Sequence, residues 1–194
     1  MITNKAVTFL MLVAGLLCGS HDVRPQAARE STMKFPIPQS IELEHQELHA
    51  ALERLTQAGG ETSEAARAVE KVLSHHFEKE EQYALPPLGL LVPLSQGKFE
   101  PAMAEVLKLT DKLEAEMPVM LSEHKELIAA LEKLSEAAKA EKKAEGVRFA
   151  EELTMHAQGE EEITYPAALL VGRYVKSKLA SMRANSSSAA GCCV

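Results

Sequence analysis

Two copies of one pattern follow each other in this chain, and this internal repeat limits its possible folds more than any other feature. The segment EHQELHAALERL begins at Glu44 and returns as EHKELIAALEKL at Glu123, 79 residues later. A second segment, HFEKEEQYALPPLGLLV, begins at His76 and returns in altered form as HAQGEEEITYPAALLVG at His156, 80 residues later. Each copy holds two apolar stretches with helical spacing, so the sequence predicts two helix pairs built on one plan.

The apolar spacing predicts four long helices and a shorter fifth one. Ser40 is a suitable N-cap for the first helix, which Gly59 and Gly60 are expected to end. Pro118 lies inside the third helix and is expected to kink it. The expected helices cover about residues 40–58, 62–85, 101–134 and 149–165, with a short C-terminal helix over 167–179.

Composition and charge exclude several classes of protein. The 194 residues suit one domain with tails, and an aromatic content of 4% without tryptophan argues against a β-sandwich. A net charge of −7 without a basic patch excludes a typical nucleic-acid partner. The three cysteines, Cys18, Cys192 and Cys193, lie outside the repeat, which excludes thiolate ligands and disulfides in the core.

The two ends of the chain differ from the repeat. Residues 1–20 combine Lys5 with the apolar run AVTFLMLVAGLL, which predicts a signal peptide and export to the periplasm or beyond. Alternatively, residues 1–32 are an extension ahead of a true start at Met33, and the protein is cytoplasmic. Twelve apolar residues are too few for a stable membrane span. Residues 39–180 are the expected domain, and residues 181–194, rich in Ser and Ala, are expected to be disordered.

Two His-x-x-x-Glu pairs carry the chemistry of the predicted helices. Four residues along a helix rise about 6 Å and end near the same face, so His76 points with Glu80, and His156 with Glu160. Both pairs lie on the apolar stripes, where an unpaired carboxylate would cost several kcal/mol. The stripes hold no lysine or arginine to compensate this charge. Two divalent cations would neutralise both glutamates and use the imidazoles as ligands.

Three further histidines complete the set of candidate ligands. His45 and His124 occupy equivalent positions in the repeat, whereas His49 corresponds to Ile128. His49 follows His45 by four residues and is expected to face inward one turn further on. The sequence therefore predicts a two-metal site with seven ligands: His45, His49, His76, Glu80, His124, His156 and Glu160.

The order His, His-x-x-x-Glu, His, His-x-x-x-Glu resembles the hemerythrin-like, HHE cation-binding family over about residues 39–175. The resemblance implies an all-α, antiparallel up-down four-helix bundle around two iron ions with a bridging oxygen species. If both glutamates and the oxygen species bridge the two irons, three histidines make one iron six-coordinate and two leave the other iron five-coordinate. The oxygen carriers of the family place their paired histidines on the third helix, whereas the pair here is on the first. They also use an Asp at a longer spacing after the last histidine, whereas Glu160 follows His156 by four residues.

Three functions follow from the predicted centre. It binds or senses dioxygen, or a related ligand such as nitric oxide, at an open iron. Alternatively, it is a redox enzyme acting on nitric oxide or peroxide, with an electron donor that the sequence does not name. A third possibility is an iron buffer or a structural metal bundle. Six or seven nitrogen and oxygen ligands favour iron over zinc, while manganese or mixed occupancy stays open.

Several residues near the motifs are expected to have ordinary roles. His75 is out of phase with the apolar stripe, so it is predicted on the surface. Glu81 and Glu161 are turned about 100° from the adjacent glutamates and are predicted to be solvated. Tyr83 and Tyr165 are predicted to pack in the core, with a supporting or channel role as the alternative.

Overall fold

The computed structural model describes residues 35–190, and the side chains of residues 35–185. Within that range every regular element is helical and no strand is present. Two π-helical turns, Glu80–Ala84 and Glu160–Thr164, and two 3-10 turns, Pro86–Leu90 and Pro101–Glu105, interrupt the α-helices. The α-helices are α1 (Gln39–Thr56), α2 (Gly60–Lys79), α3 (Leu91–Ser95), α4 (Val106–Ala140), α5 (Ala144–Gly159) and α6 (Tyr165–Ala190).

Four helices form the predicted bundle. Helix α1 packs against α2 and α5, and α4 packs against the same two helices. Only residues 57–59 join α1 to α2, and only residues 141–143 join α4 to α5. Connections this short make the partners antiparallel neighbours. The prediction of an all-α bundle is therefore confirmed, and α4 continues through Pro118.

The C-terminal helix is longer than predicted. Instead of a short helix over 167–179, α6 has 26 residues and continues to Ala190, through part of the segment expected to be disordered. Pro166 lies in its first turn, where a backbone N–H would have no hydrogen-bond partner within the helix. Val171 and Val175 are buried against Leu90 and neighbouring residues, which anchors the helix beside the bundle.

The hydrophobic core has two main parts on either side of the candidate ligands. One contains Leu52, Leu73, Leu131 and Leu153 and their neighbours. The other contains Tyr83 and Ala84 of the first π turn together with Leu113, Met120 and Tyr165. Along every bundle helix the predicted ligands fall between these two clusters, so close apolar packing holds them from both sides.

The loops at one end of the bundle are joined by Glu141. Its carboxylate accepts hydrogen bonds from the backbone N–H of Glu61 at 2.8 Å and from the hydroxyl of Thr62 at 2.6 Å. Gly60 has φ +67°, and a Cβ there would lie 2.0 Å from Glu141 Oε1. Hydrogen bonds from Lys143 and Thr62 lower the pKa of Glu141 to about 2. Glu141 thus caps the start of α2 from the opposite helix pair.

Some predictions concern parts of the chain outside the described residues. The signal peptide, the alternative start at Met33 and the three cysteines all lie there, so export stays a prediction. Among residues 35–190, no helix is long and apolar enough to cross a membrane.

Candidate metal centre

Each half of the bundle has a π-helical turn that begins at the glutamate of its His-x-x-x-Glu pair. The turns cover Glu80–Ala84 and Glu160–Thr164, and in the first the N–H of Leu85 donates to the carbonyl of Glu80 at 2.9 Å. A π turn adds one residue to the helical register and is frequent at functional sites. As a result Ile163 is 69% exposed, although it follows Glu160 by three residues, whereas Tyr165 is 1% exposed.

Six of the seven predicted ligands converge between α1, α2, α4 and α5. They form two groups of four, and within each group the ligand atoms lie within 4.8 Å of one another. We call the first group site A and the second site B, and both contain Glu80 and Glu160. Site A is completed by His45 and His156, and site B by His76 and His124.

The two glutamates face both sites with separate oxygens. Glu80 Oε1 lies 3.3 Å from His76 Nε2, and its Oε2 lies 3.8 Å from His45 Nε2. Glu160 Oε2 lies 3.4 Å from His124 Nε2, and its Oε1 lies 3.0 Å from His156 Nε2. One oxygen of each carboxylate therefore belongs to each site, as bridging carboxylates require.

The cluster is buried and incompletely hydrogen-bonded. Its side chains are at most 7% exposed. Buried polar atoms normally have partners, and leaving them without one destabilises the fold. Six atoms of the cluster lack a hydrogen-bond partner: both ring nitrogens of His45, Nε2 of His156, Oε2 of Glu80 and both oxygens of Glu160. Two cations would supply partners for all of them except Nδ1 of His45, which faces Glu81. The donor set therefore fits two metal ions.

His49 is the predicted ligand that the structure does not bring into the cluster. It is exposed on α1, one turn beyond His45, and belongs to neither site. The ring of Phe77 stacks on His45 with centroids 4.0 Å apart and meets His49 edge-on at 5.0 Å. Each site consequently has two histidines, and a third ligand from His49 stays a prediction.

Comparison with protein families decides the identity of the fold. The model of the hemerythrin HHE cation-binding domain matches residues 37–168. The chain belongs to this hemerythrin family. Comparisons with curated proteins and with solved structures gave no match. The family match and the buried cluster together indicate a metal-binding role, with iron as the expected metal.

A ring of outer carboxylates faces the histidines of this hemerythrin-like centre. Glu123 lies 3.0 Å from Nδ1 of His76, and Glu44, its equivalent in the repeat, lies 3.1 Å from Nδ1 of His156. Such contacts fix the ring orientation and direct Nε2 at the metal. The sequence motif of the family does not include these glutamates, although both directly precede a ligand histidine.

Two residues predicted to be solvated belong to the same ring. Glu161 lies 2.9 Å from Nδ1 of His124, although its side chain is 40% exposed. Glu81 is 54% exposed and lies 3.9 Å from Nδ1 of His45. Both side chains are exposed, as predicted, and each also lies beside a histidine of the neighbouring helix. Every ligand histidine thus has a carboxylate behind it.

The protonation of the metal-free centre is set by burial and by these pairings. Burial raises the pKa of Glu80, and the charge of Glu160 raises it further. Burial acts on Glu160 in the same direction, but the close contacts with His124 and His156 outweigh it and hold the pKa of Glu160 well below the ordinary value. Burial alone would lower the pKa of His156, whereas the contact with Glu160 raises it to about 9. A cation binding at neutral pH therefore displaces a proton from His156.

Tyr165 reaches the centre from the start of α6. Its hydroxyl donates a hydrogen bond to Glu80 Oε1 and lies 3.3 Å from Nε2 of both His76 and His124. The residue was predicted to pack in the core, and the alternative of a role beside the site agrees better with these contacts. Tyr83 is also buried, but its hydroxyl contacts Met120 Sδ at 3.4 Å and not the cluster.

Site A is accessible from the surface. A cavity of about 550 Å³ is lined by His156, Glu160 and Gly159 and bordered by Met155 and Ile163. A Cβ at position 159 would meet no atom within 4 Å, so glycine leaves this side open. A second cavity of about 270 Å³ is lined by His45, His49, Glu81 and neighbouring residues. Both cavities reach histidines of site A.

Proposed function

We propose that this protein is a non-haem di-iron protein that binds or senses dioxygen, or a related small ligand such as nitric oxide. One observation carries the proposal: two buried glutamates each present one oxygen to each of two histidine pairs. This arrangement would hold two cations side by side, with one oxygen of each carboxylate available to each cation. The four histidines and two glutamates of sites A and B would be the protein ligands.

The donor atoms support iron over other metals. Each site offers two imidazoles and two carboxylate oxygens, and none of the described residues is a cysteine. Imidazole together with carboxylate suits iron and leaves positions free for a bridging oxygen species or an incoming ligand, whereas structural zinc sites favour closed tetrahedra. Manganese shares this donor preference, so metal analysis has to distinguish the two.

The surrounding residues would control access and orientation. Iron would supply the capacity to exchange electrons with a bound gas. Glu44, Glu123 and Glu161 hold three of the imidazole rings by hydrogen bonds, so ligand binding would need little rearrangement of the protein. The cavity beside His156 is large enough for a diatomic molecule and leads to site A. We therefore place the incoming ligand at site A.

The proposal is tested by metal analysis of anaerobically purified protein, followed by absorption spectra as air is admitted. Two irons per chain, with a near-ultraviolet band that forms in air and reverses when oxygen is removed, would support a binding protein. Two irons oxidised irreversibly would contradict reversible binding and favour a redox enzyme or an iron buffer. Absence of metal after reconstitution would overturn the proposal.

A matched pair of variants ties the result to the cluster. His124→Ala removes a buried imidazole of site B and should lower the iron content. His75→Ala removes an imidazole that is 67% exposed and contacts only Glu78 among the described residues, so iron content should not change. An equal effect of both substitutions would show that iron binds elsewhere.

A further inference from the structure

The two halves of the repeat differ at the residue that comes directly after each π turn. Tyr165 occupies this position in the second half, and Leu85 occupies it in the first. Both side chains are buried, each at 1% exposure. A leucine offers no donor atom, whereas the tyrosine places a hydroxyl oxygen beside the donor atoms of His76, His124 and Glu80. The pseudo-symmetry of the centre is therefore broken by an atom that can bind a metal.

The position of this oxygen is that of a ligand. Its distance to Nε2 of His76 is 3.3 Å, its distance to Nε2 of His124 is also 3.3 Å, and it contacts Glu80 Oε1. Donor atoms about 2.1 Å from one metal ion, at right angles, lie about 3 Å apart. The hydroxyl is therefore spaced from three ligand atoms as a further ligand of the same ion would be.

We propose that Tyr165 is a protein ligand of the metal ion at site B. The inference rests on the proposed function, since it requires a metal at the centre. On binding, the cation takes the place of the phenolic proton on Tyr165 Oη, and that proton passes to solvent. Site B then has five protein ligands, namely His76, His124, Glu80, Glu160 and Tyr165, whereas site A has four.

This difference makes the two metal positions unequal. At site B the phenolate fills a coordination position, and Lys79 pairs with Glu123 behind His76, both side chains being 17% exposed. At site A the equivalent of the tyrosine is Leu85, which lines the cavity that reaches His45. An added ligand therefore binds at site A, while the phenolate stabilises the oxidised metal at site B.

The spectrum of the ferric protein distinguishes ligation from a simple hydrogen bond. A phenolate bound to ferric iron gives a charge-transfer band in the visible range, whereas a phenol hydrogen-bonded to Glu80 gives none. Resonance Raman excitation in that band enhances the vibrations of the phenolate ring. The chain has three tyrosines, and Tyr174 is 38% exposed while Tyr83 contacts Met120, so each is a suitable control.

The experiment compares the oxidised, iron-loaded protein with Tyr165→Phe, Tyr165→Leu and Tyr83→Phe. We expect the unmodified protein and Tyr83→Phe to show the visible band and the phenolate vibrations. Both substitutions at position 165 should abolish them, and the leucine variant reproduces the residue of the first half. Iron content and circular dichroism are measured on every sample. If neither variant at 165 folds, the Raman spectrum of the unmodified protein decides whether a phenolate is bound.

Three outcomes would overturn the inference, and the first two leave the proposed function standing. Two irons per chain without phenolate vibrations would show that Tyr165 is not a ligand, and the di-iron function would stand. A phenolate band that survives in Tyr165→Phe would also show that Tyr165 is not the ligand. An unmodified protein that binds no iron after reconstitution would overturn the proposed function, and the ligand assignment with it.

Discussion

Lys79 and Gly159 occupy the same position in the two halves of the bundle, directly ahead of Glu80 and Glu160. Lys79 forms an ion pair with Glu123, the carboxylate behind His76. Gly159 has no side chain that could form an ion pair with Glu44, and the cavity of about 550 Å³ opens beside it. One half of the centre is thus covered by a lysine, and the other half is left accessible.

Gly159→Lys should partly close the cavity beside site A. We expect ligand binding to slow several-fold, because the new side chain lies across the route to His156. The helix itself should gain roughly 0.5–1 kcal/mol in stability, since glycine is a poor helix former and φ at this position is −61°. Stopped-flow measurement of azide or nitric oxide binding and a thermal melt check both expectations. Gln158→Lys adds the same charge one residue away on the exposed surface, and an unchanged rate in Gly159→Lys would contradict the access route.

Glu80→Ala and Glu160→Ala should each lose at least one metal ion per chain. Each carboxylate serves sites A and B, so its removal weakens both, and metal binding is coupled to folding. The melting temperature of the metal-loaded protein should therefore fall. Glu78→Ala, an exposed glutamate on the same helix, is the control. Full metal content and an unchanged melting temperature in both variants would contradict the bridging role.

His49→Ala should leave two ions bound. The side chain is exposed and separated from the cluster by Phe77, so its loss removes no donor from site A or site B. Metal content and azide affinity of the variant, beside those of His45→Ala, test this expectation. A drop in metal content as large as that of His45→Ala would instead support His49 as the seventh ligand.

Glu141→Gln should lower the melting temperature at neutral pH, and the difference from the unmodified protein should shrink in acid. The pKa of Glu141 is about 2 in the folded protein, below the ordinary value of 4.5 that the unfolded chain retains. The ionised form therefore stabilises the fold above about pH 4.5, and this contribution is lost as the pH falls toward 2. Thermal melts from pH 7 to pH 3 measure the trend. Glu145→Gln, which breaks an exposed pair with Arg54, serves as the control, and a difference independent of pH would contradict the capping role.

The repeat predicted the positions of His45, His76, His124 and His156 because helical spacing alone places them on the inner faces. It could not predict the π turns, because one added residue in the register leaves no mark in the apolar pattern. Helical spacing alone would therefore place Ile163 inside, whereas in the structure Ile163 is exposed and Tyr165 is buried. The repeat also placed His49 inside by its four-residue spacing, whereas the fit of Phe77 against His45 depends on how neighbouring helices pack.

The outer glutamates were missed for a similar reason. Glu81 and Glu161 contact histidines of other helices, each about 36 residues earlier in the chain. Only the packing of adjacent helices brings these residues together. The signal that could have found them is the repeat itself, since Glu44 and Glu123 match, as do Glu81 and Glu161.

Because both halves belong to one polypeptide, sites A and B need not be chemically equivalent. If two identical chains assembled this centre around a twofold axis, every residue would occur twice and the two metals would be equivalent. Here Tyr165 can differ from Leu85, and Gly159 from Lys79, without any change in the other half. Covalent linkage of the halves thus allows one metal to specialise in retaining its ligands and the other in exchanging them.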